Sequence, residues 1–480
     1  MRRISKTYAT GLASAIFLLL LNTPLLVEII RKYAIYSNMV FLGGDLVIIA
    51  FFALLLLQRK IQLSWLPFPF VLGSIVFLVL AFVSTIISGA SLGAYFVGAR
   101  AAYIPVIYLL ISAAYFRAEP LSFQRLYYCA SFWVVIAGCL ALTQIYLGPT
   151  HPINRFWDQD ALGIGDYTAG GEVLAAGIFR PTSFFAHTGK FGQVVFCLVL
   201  FRWIALLTKA VRIGPWGGGL IVFDILAVGA SGQRAAMLFL MLGLLMFAFF
   251  FRTKRSFSFR TKRPSLQHGR TSIIISIATF AFTAGLVILG LGSIYLNVGY
   301  ERLASGIAAA PSRIVGNFLL PIKTIIETYL FYGDGFGMYT FGSSDFGGSI
   351  VYKAVQMEGV GESSIIRLSA EVGLFTAALQ IVLFLIIVVL AWRAARSNRP
   401  ANERVLGVFF FTWMIAFTLW SNTADVFANA TVMSLGYALA GGFLVTNQSL
   451  LGRRLRRPSP RRKFALAPAP GEASSSRALI

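Results

Sequence analysis

Three arginines and one glutamate stand out in this sequence, each beside glycines or small polar residues where an apolar run begins or ends. Arg180 lies in Gly177-Ile-Phe-Arg-Pro-Thr-Ser-Phe-Phe-Ala-His187-Thr-Gly-Lys-Phe-Gly-Gln193. Arg234 lies in the short turn Ala230-Ser-Gly-Gln-Arg-Ala-Ala236, and Arg313 follows Pro311-Ser312. Arginine keeps its charge at any depth, and its planar fork of donors matches phosphate oxygens. A pocket lined by several of them suits a lipid-linked phosphate or diphosphate. The bland alternative is that each pairs with a nearby acid or snorkels to lipid headgroups. Glu362 opens the run Gly361-Glu-Ser-Ser-Ile-Ile-Arg367-Leu-Ser-Ala-Glu371-Val-Gly373. At a water–lipid boundary, partial burial lifts a carboxylate toward the range of a general base; its bland role is to stabilise a helix start. Arg367 and Glu371 are four residues apart, which predicts a structural ion pair on one helix face. His187, Arg302 and Arg367 are further residues that an arginine-lined pocket could include.

Other candidates carry weaker chemistry. Asp158-Gln-Asp160 has the spacing some sugar transferases use for a divalent ion, but it lies mid-loop with no strand before it. Gly333-Asp-Gly-Phe-Gly337 likewise lacks a preceding strand and reads as a tight turn rather than a phosphate cradle. His151 and His187 both fall in segments expected outside, where a lone histidine such as His187 is more often a polar rim residue, and His268 sits in a basic loop. Glu28, Asp45, Asp224 and Asp425 fall within or at the ends of apolar runs, either as an ion path or as partners of buried cations. Cys129, Cys139 and Cys197 show no metal spacing and read as small hydrophobes.

The elements that position these residues follow from composition. Of the 480 residues, 58% are hydrophobic and only 12% charged, and the mean hydropathy is +0.77. Soluble domains carry about 25% charged residues, so a soluble enzyme, a disordered chain and a secreted disulfide scaffold are excluded. Apolar runs recur along the whole length without the alternation of barrel strands, which predicts an all-α polytopic membrane protein. Breaks between the runs predict twelve helices, near 8–30, 34–57, 66–87, 101–116, 126–147, 191–208, 214–230, 235–251, 271–293, 364–391, 405–424 and 429–448. The first is too long for a signal peptide's apolar region and is expected to stay as an anchor.

The net charge of +23 would suggest nucleic acid in a soluble protein; here the positions of the 41 Lys and Arg matter more. With the N-terminus inside, most of them fall on the cytoplasmic side, including Arg202, Lys209 and Arg212, the run from Arg252 to Arg270, and the tail from Arg453. Both termini are therefore expected in the cytoplasm. Two long segments, 148–190 and 297–363, then face outward, and long loops of this kind are usually functional. Residues 314–332 read as an amphipathic helix along the membrane surface. Residues 1–450 form one transmembrane domain in this reading, and 451–480 a basic, disordered tail.

In order and spacing these motifs resemble those of bacterial O-antigen ligases and Wzy-type polysaccharide polymerases, over about residues 90–440. The Arg180–Gln193 segment is similar to the family's "R-x-x-G-x-F-x-H/N-P-N", and Ser231-Gly-Gln-Arg234-Ala to its "S-R-G/A" turn. Arg313 through Gly337 resembles the "R…G-x-G" stretch, and Glu362–Gly373 the "H/E-N-x-x-L-x-x-x-x-E-x-G" helix start. The chain departs from the pattern at Ser183, where glycine is usual, at Thr188-Gly189 in place of Pro-Asn, and at Glu362, where ligases carry histidine.

The resemblance implies a metal-independent, inverting glycosyl transfer without a cofactor, at the outer face of the bacterial inner membrane. The donor would be a glycan on undecaprenyl diphosphate. Arg180, Arg234 and Arg313 would hold the diphosphate, and Glu362 would take the acceptor's proton. The reading taken from it is a polymerase of lipid-linked repeat units for an exopolysaccharide or O-antigen-type polymer. A chain-length regulator and a flippase would be partners besides the bilayer, and nucleic acid would not. Two alternatives stay open: a ligase moving finished glycan to lipid A core or protein, and a transporter of bicarbonate or a lipid-linked sugar.

Overall fold

An apolar chain in a bilayer must satisfy its own backbone hydrogen bonds, and helices do so segment by segment. The structure, a computed structural model, describes residues 14–34, 39–119, 121–148, 151–154, 172–173, 179–185, 188–208, 210–211, 217–252, 320–340, 363–397, 401–421 and 429–445. Among them lies one pair of two-residue antiparallel strands, β1 (Glu172–Val173) and β2 (Phe179–Arg180), with Glu172 opposite Arg180. Nearly everything else is helix. The chain runs through α1 (Ser14–Leu21), α2 (Thr23–Tyr33), α3 (Met39–Leu57), α4 (Phe68–Ile87), α5 (Leu92–Ala118) and α6 (Ser122–Leu147). After the strands come α7 (Thr188–Leu207), α8 (Gly217–Ala230), α9 (Arg234–Arg252) and α10 (Leu320–Thr328). The last four are α11 (Ser364–Val372), α12 (Leu374–Ala395), α13 (Ala401–Trp420) and α14 (Ala430–Ala440).

Among the described residues six helices are long and apolar enough to cross a membrane, namely α3 to α7 and α12; the bent pair α1–α2 makes a seventh if it is one span. Helices α8, α9, α13 and α14 are apolar over shorter fully described stretches. Apart from the strand pair, the described residues build a helical membrane protein. Each segment expected as a span contains helix among its described residues except 271–293, which lies outside them. Two are not the single rods expected. The first bends by 55° at Asn22. There Pro24 enters the second helix, and the Asn22 side chain accepts a hydrogen bond from Trp133 Nε1 at 2.6 Å. The tenth breaks at Gly373, whose φ of +85° ends α11. A Cβ at Gly373 would meet the Phe331 backbone at 2.6 Å, so the turn after α10 crosses where only glycine fits. Of the helix expected over 314–332, residues 320–328 form α10 and the helix ends before Tyr329; residues 314–319 lie outside the described residues.

At the centre stands α7, packed on α6, α8, α9, α13 and α14 and buried along almost its whole length. Around it α5 lies along α14, and α12 lies along α13 with α4 behind it. Close approach is visible where Ser112 Oγ donates to the Ala438 carbonyl at 2.5 Å. The Gly333–Gly337 run is a turn, as expected, clamped between helices. Gly333 N donates to Ser84 Oγ at 3.0 Å, and Gly337 (φ +84°) sits where a Cβ would lie 1.9 Å from the Ala94 carbonyl. These glycines serve backbone packing, not phosphate.

One charge is misplaced by the sequence reading. Arg202 is not a cytoplasmic loop residue: it lies inside α7, fully buried, and forms an ion pair with the fully buried Asp224 of α8. Trp203 Nε1 donates to the other Asp224 oxygen at 2.9 Å, and the guanidinium lies over the Tyr127 ring. Hydrocarbon cannot solvate either ion, so each requires the other.

Candidate active site

At one end of the bundle α2, α6, α8 and α13 finish while α7, α9, α11 and α14 begin. Their polar residues interlock there. Lys190 in the first turn of α7 pairs with buried Glu28 of α2 at 2.9 Å, and Thr431 of α14 donates to the same Glu28 oxygen at 2.8 Å. Asn429, which caps α14, donates to Gln193 of α7 at 2.8 Å.

The segment bearing Arg180 is fastened to this end just after β2. Thr182 and Ser183 are buried, and Lys32 donates to the Thr182 hydroxyl at 2.7 Å and to the Ser183 carbonyl. Ser183 N donates to Gln144 Oε1 at 2.8 Å, Gln144 Nε2 returns a bond to its carbonyl at 3.0 Å, and Ser183 Oγ donates to the Ala137 carbonyl at 2.9 Å. Its φ is +55°, a left-handed conformation that glycine takes freely and that costs other residues about 1–2 kcal/mol. Position 183 thus demands glycine-like geometry, and serine holds it with four hydrogen bonds. Phe184 and Phe185 then plunge into the core against Trp133 and Phe191.

The Arg234 turn docks on the same segment. Gln233 packs on Gly192 and Gly189, where a Cβ would meet its side-chain amide at 2.5 and 3.3 Å. The start of α11 arrives from a third direction: Ser364 N donates to the Ser421 carbonyl at the end of α13, at 3.0 Å. The neighbouring Trp420 contacts Phe196 of α7 and stacks on Phe239 of α9, with centroids at 5.9 and 5.4 Å. The backbones leading to Arg180, Arg234 and Glu362 are therefore tied to one region. Arg180 and Arg234 are described in backbone only, and His187, Arg302, Arg313, Glu362, Asp158, Asp160 and Asp425 lie outside the described residues.

Arg367 is described fully, and it pairs with Glu371 as its spacing predicts, at 2.8 Å. Its Nη1 also donates to Thr340 Oγ1 at 2.8 Å, and Glu371 Oε1 accepts from Thr340 Oγ1 at 3.0 Å and Tyr339 N at 2.9 Å. The pair therefore locks the 329–340 turn onto α11. Asp334 completes the lock by accepting from Tyr329 at 2.9 Å and from Tyr339. Burial first, then the Asp334 carboxylate, push the Tyr329 hydroxyl up to about 12 and raise that of Tyr339. A raised folded pKa means the clamp stabilises fully below the ordinary tyrosine value of about 10 and is lost as pH rises through about 12. Asp334→Ala should move part of the late tyrosinate absorbance to lower pH; an unchanged titration would contradict the clamp.

The sequence reading missed a cationic cluster beside Glu28. Arg31, Arg100 and Lys190 all approach the Phe41 ring, at 5.0, 5.1 and 5.2 Å from its centroid, and Asp45 pairs with Arg100. Arg31 and Lys32 stand in the break between two apolar runs, where they look like ordinary flanking charges. Of the four intramembrane acids, the three described, Glu28, Asp45 and Asp224, each neutralise a cation. Against this geometry, comparison with known proteins adds no relative: no family model matches the chain, and no curated protein matches it.

Proposed function

We propose that the chain polymerises undecaprenyl-diphosphate-linked oligosaccharide repeat units into an exopolysaccharide or O-antigen-type polymer, at the outer face of the bacterial inner membrane. In this reading twelve helices span the membrane, both termini are cytoplasmic, and segments 148–190 and 297–363 face the periplasm. The acceptor hydroxyl gives its proton to Glu362 and attacks the anomeric carbon from the side opposite the diphosphate, which inverts the configuration. Arg180, Arg234 and Arg313 stabilise the negative charge that builds on the departing lipid diphosphate. With guanidinium groups in that role, the reaction is expected to need no metal.

One observation carries this reading: segments far apart in sequence meet at one end of the bundle. Gln233, next to Arg234, rests on the α7 glycines that follow Arg180. Ser364, two residues after Glu362, is bonded to the end of α13, beside the aromatic stack on α7 and α9. The test is turnover by purified protein in detergent, with a lipid-diphosphate-linked oligosaccharide, EDTA and no nucleotide. A glycan ladder is expected. Free lipid diphosphate without a ladder would indicate a ligase lacking its acceptor, and untouched substrate from folded protein would remove the glycosyl-transfer reading.

A further inference from the structure

A cavity of about 110 Å³ runs along the lipid-facing side of the bundle between α5 and α12. It exists because α5 packs along α14 while α12 packs along α13, which leaves a furrow where the two pairs adjoin. The α5 wall is made of small or ring-shaped residues, Ala101, Ala102 and Pro105, and the α12 wall of Ile381, Leu385 and Val388. Buried Met414 and Met433 form the floor. Leu385 is 55% exposed, so the furrow opens sideways toward lipid. Val388 lies roughly 22 Å along the helix from the break at Gly373, at about 1.5 Å per residue, which is most of a hydrocarbon core of about 30 Å. At its other end the furrow changes character, with Thr340, Ser364 and Arg367 lining it.

The geometry points to this furrow as the seat of the isoprenoid chain of the lipid-linked donor. The inference rests on the proposed function and deepens it by naming where the lipid lies. A trough open to the bilayer and walled mostly by Ala, Leu, Ile, Val and Met fits a hydrocarbon chain better than a sugar, whose hydroxyls would find only Gln380 and Thr418 as partners along it. The small side chains of Ala101 and Ala102 leave room for methyl branches along that chain. The polar end, lined by Thr340 and Ser364 beside the Arg367–Glu371 pair, is where the chain's anionic head would leave the furrow, and Ser364 is two residues from Glu362. A chain in the furrow would thus deliver its diphosphate to the end of the bundle where the arginine segments meet.

The test uses full-length protein in nanodiscs and a polyprenyl diphosphate carrying a diazirine on its chain. Photolysis followed by peptide mapping should place the adduct on residues of α5 and α12 that line the furrow, and excess unlabelled polyprenyl diphosphate should suppress it. Ala102→Trp and Val388→Trp fill the furrow from opposite walls, so a folding defect in one leaves the other informative. In a monodisperse variant the adduct should fall about tenfold or more, since each displaced methylene is worth about a factor of four. Adducts that map elsewhere, or that phosphatidylglycerol displaces as well as polyprenyl diphosphate does, would overturn the inference. Adducts in the furrow from a protein that never turns over donor would uphold the chain site and sink glycosyl transfer. Full turnover by both tryptophan variants would do the reverse.

Discussion

Arg234→Ala and Arg180→Ala should each abolish polymer while the protein still inserts and purifies as wild type. Removing a donor that stabilises developing charge costs about 10²–10³ in turnover, and the proposed mechanism sets both arginines on the same diphosphate. The loss should appear in the rate of transfer more than in binding of the lipid substrate, because the diphosphate's charge grows as the glycosidic bond breaks. Lysine should rescue poorly at both positions: a point charge cannot make the bidentate contacts of a guanidinium. Turnover by purified variants on a lipid-linked oligosaccharide, read as initial rate, checks this. Wild-type rates from both alanine variants would remove the diphosphate pocket.

Asp224→Ala should destabilise the fold by about 3–5 kcal/mol, the usual consequence of breaking a buried pair by removing one partner. The expectation is large because both side chains are fully buried and Arg202 lies within α7, the helix around which the bundle packs. Left alone, the guanidinium would need water or headgroups that a fully buried site does not supply. The double variant Arg202→Met with Asp224→Leu should recover most of the loss, since apolar residues of similar volume often replace a buried pair without cost. Unfolding midpoints in detergent titrated with SDS separate the cases. A single variant as stable as wild type, or a double variant as weak as the single, would contradict the account.

Much of the helical frame was legible in the sequence because hydrocarbon permits few alternatives to an apolar helix. The bend at Asn22 had a local sign in Pro24, but its geometry depends on Trp133, more than a hundred residues away. The Arg367–Glu371 pair could be read from i,i+4 spacing, whereas Thr340, which closes it into a network, arrives from a separate turn. Ser183 shows the same divide. Its departure from a glycine pattern was visible, yet the four hydrogen bonds that hold its left-handed backbone come from α2 and α6 and from its own hydroxyl. Arg202 misled for a physical reason: near the end of an apolar run, a buried cation and a flanking one look alike until the partner on the next helix is known. The cluster around Phe41 escaped in the same way.

The central claim is that Glu362 accepts a hydroxyl proton while arginines hold a leaving diphosphate. Its most direct test compares wild type with Glu362→Gln in the purified assay, using a lipid-diphosphate-linked oligosaccharide in EDTA. Wild type should convert the donor into a ladder of products differing by one repeat unit, and Glu362→Gln should bind the donor yet form no ladder. A ladder of undiminished rate from Glu362→Gln would contradict the account.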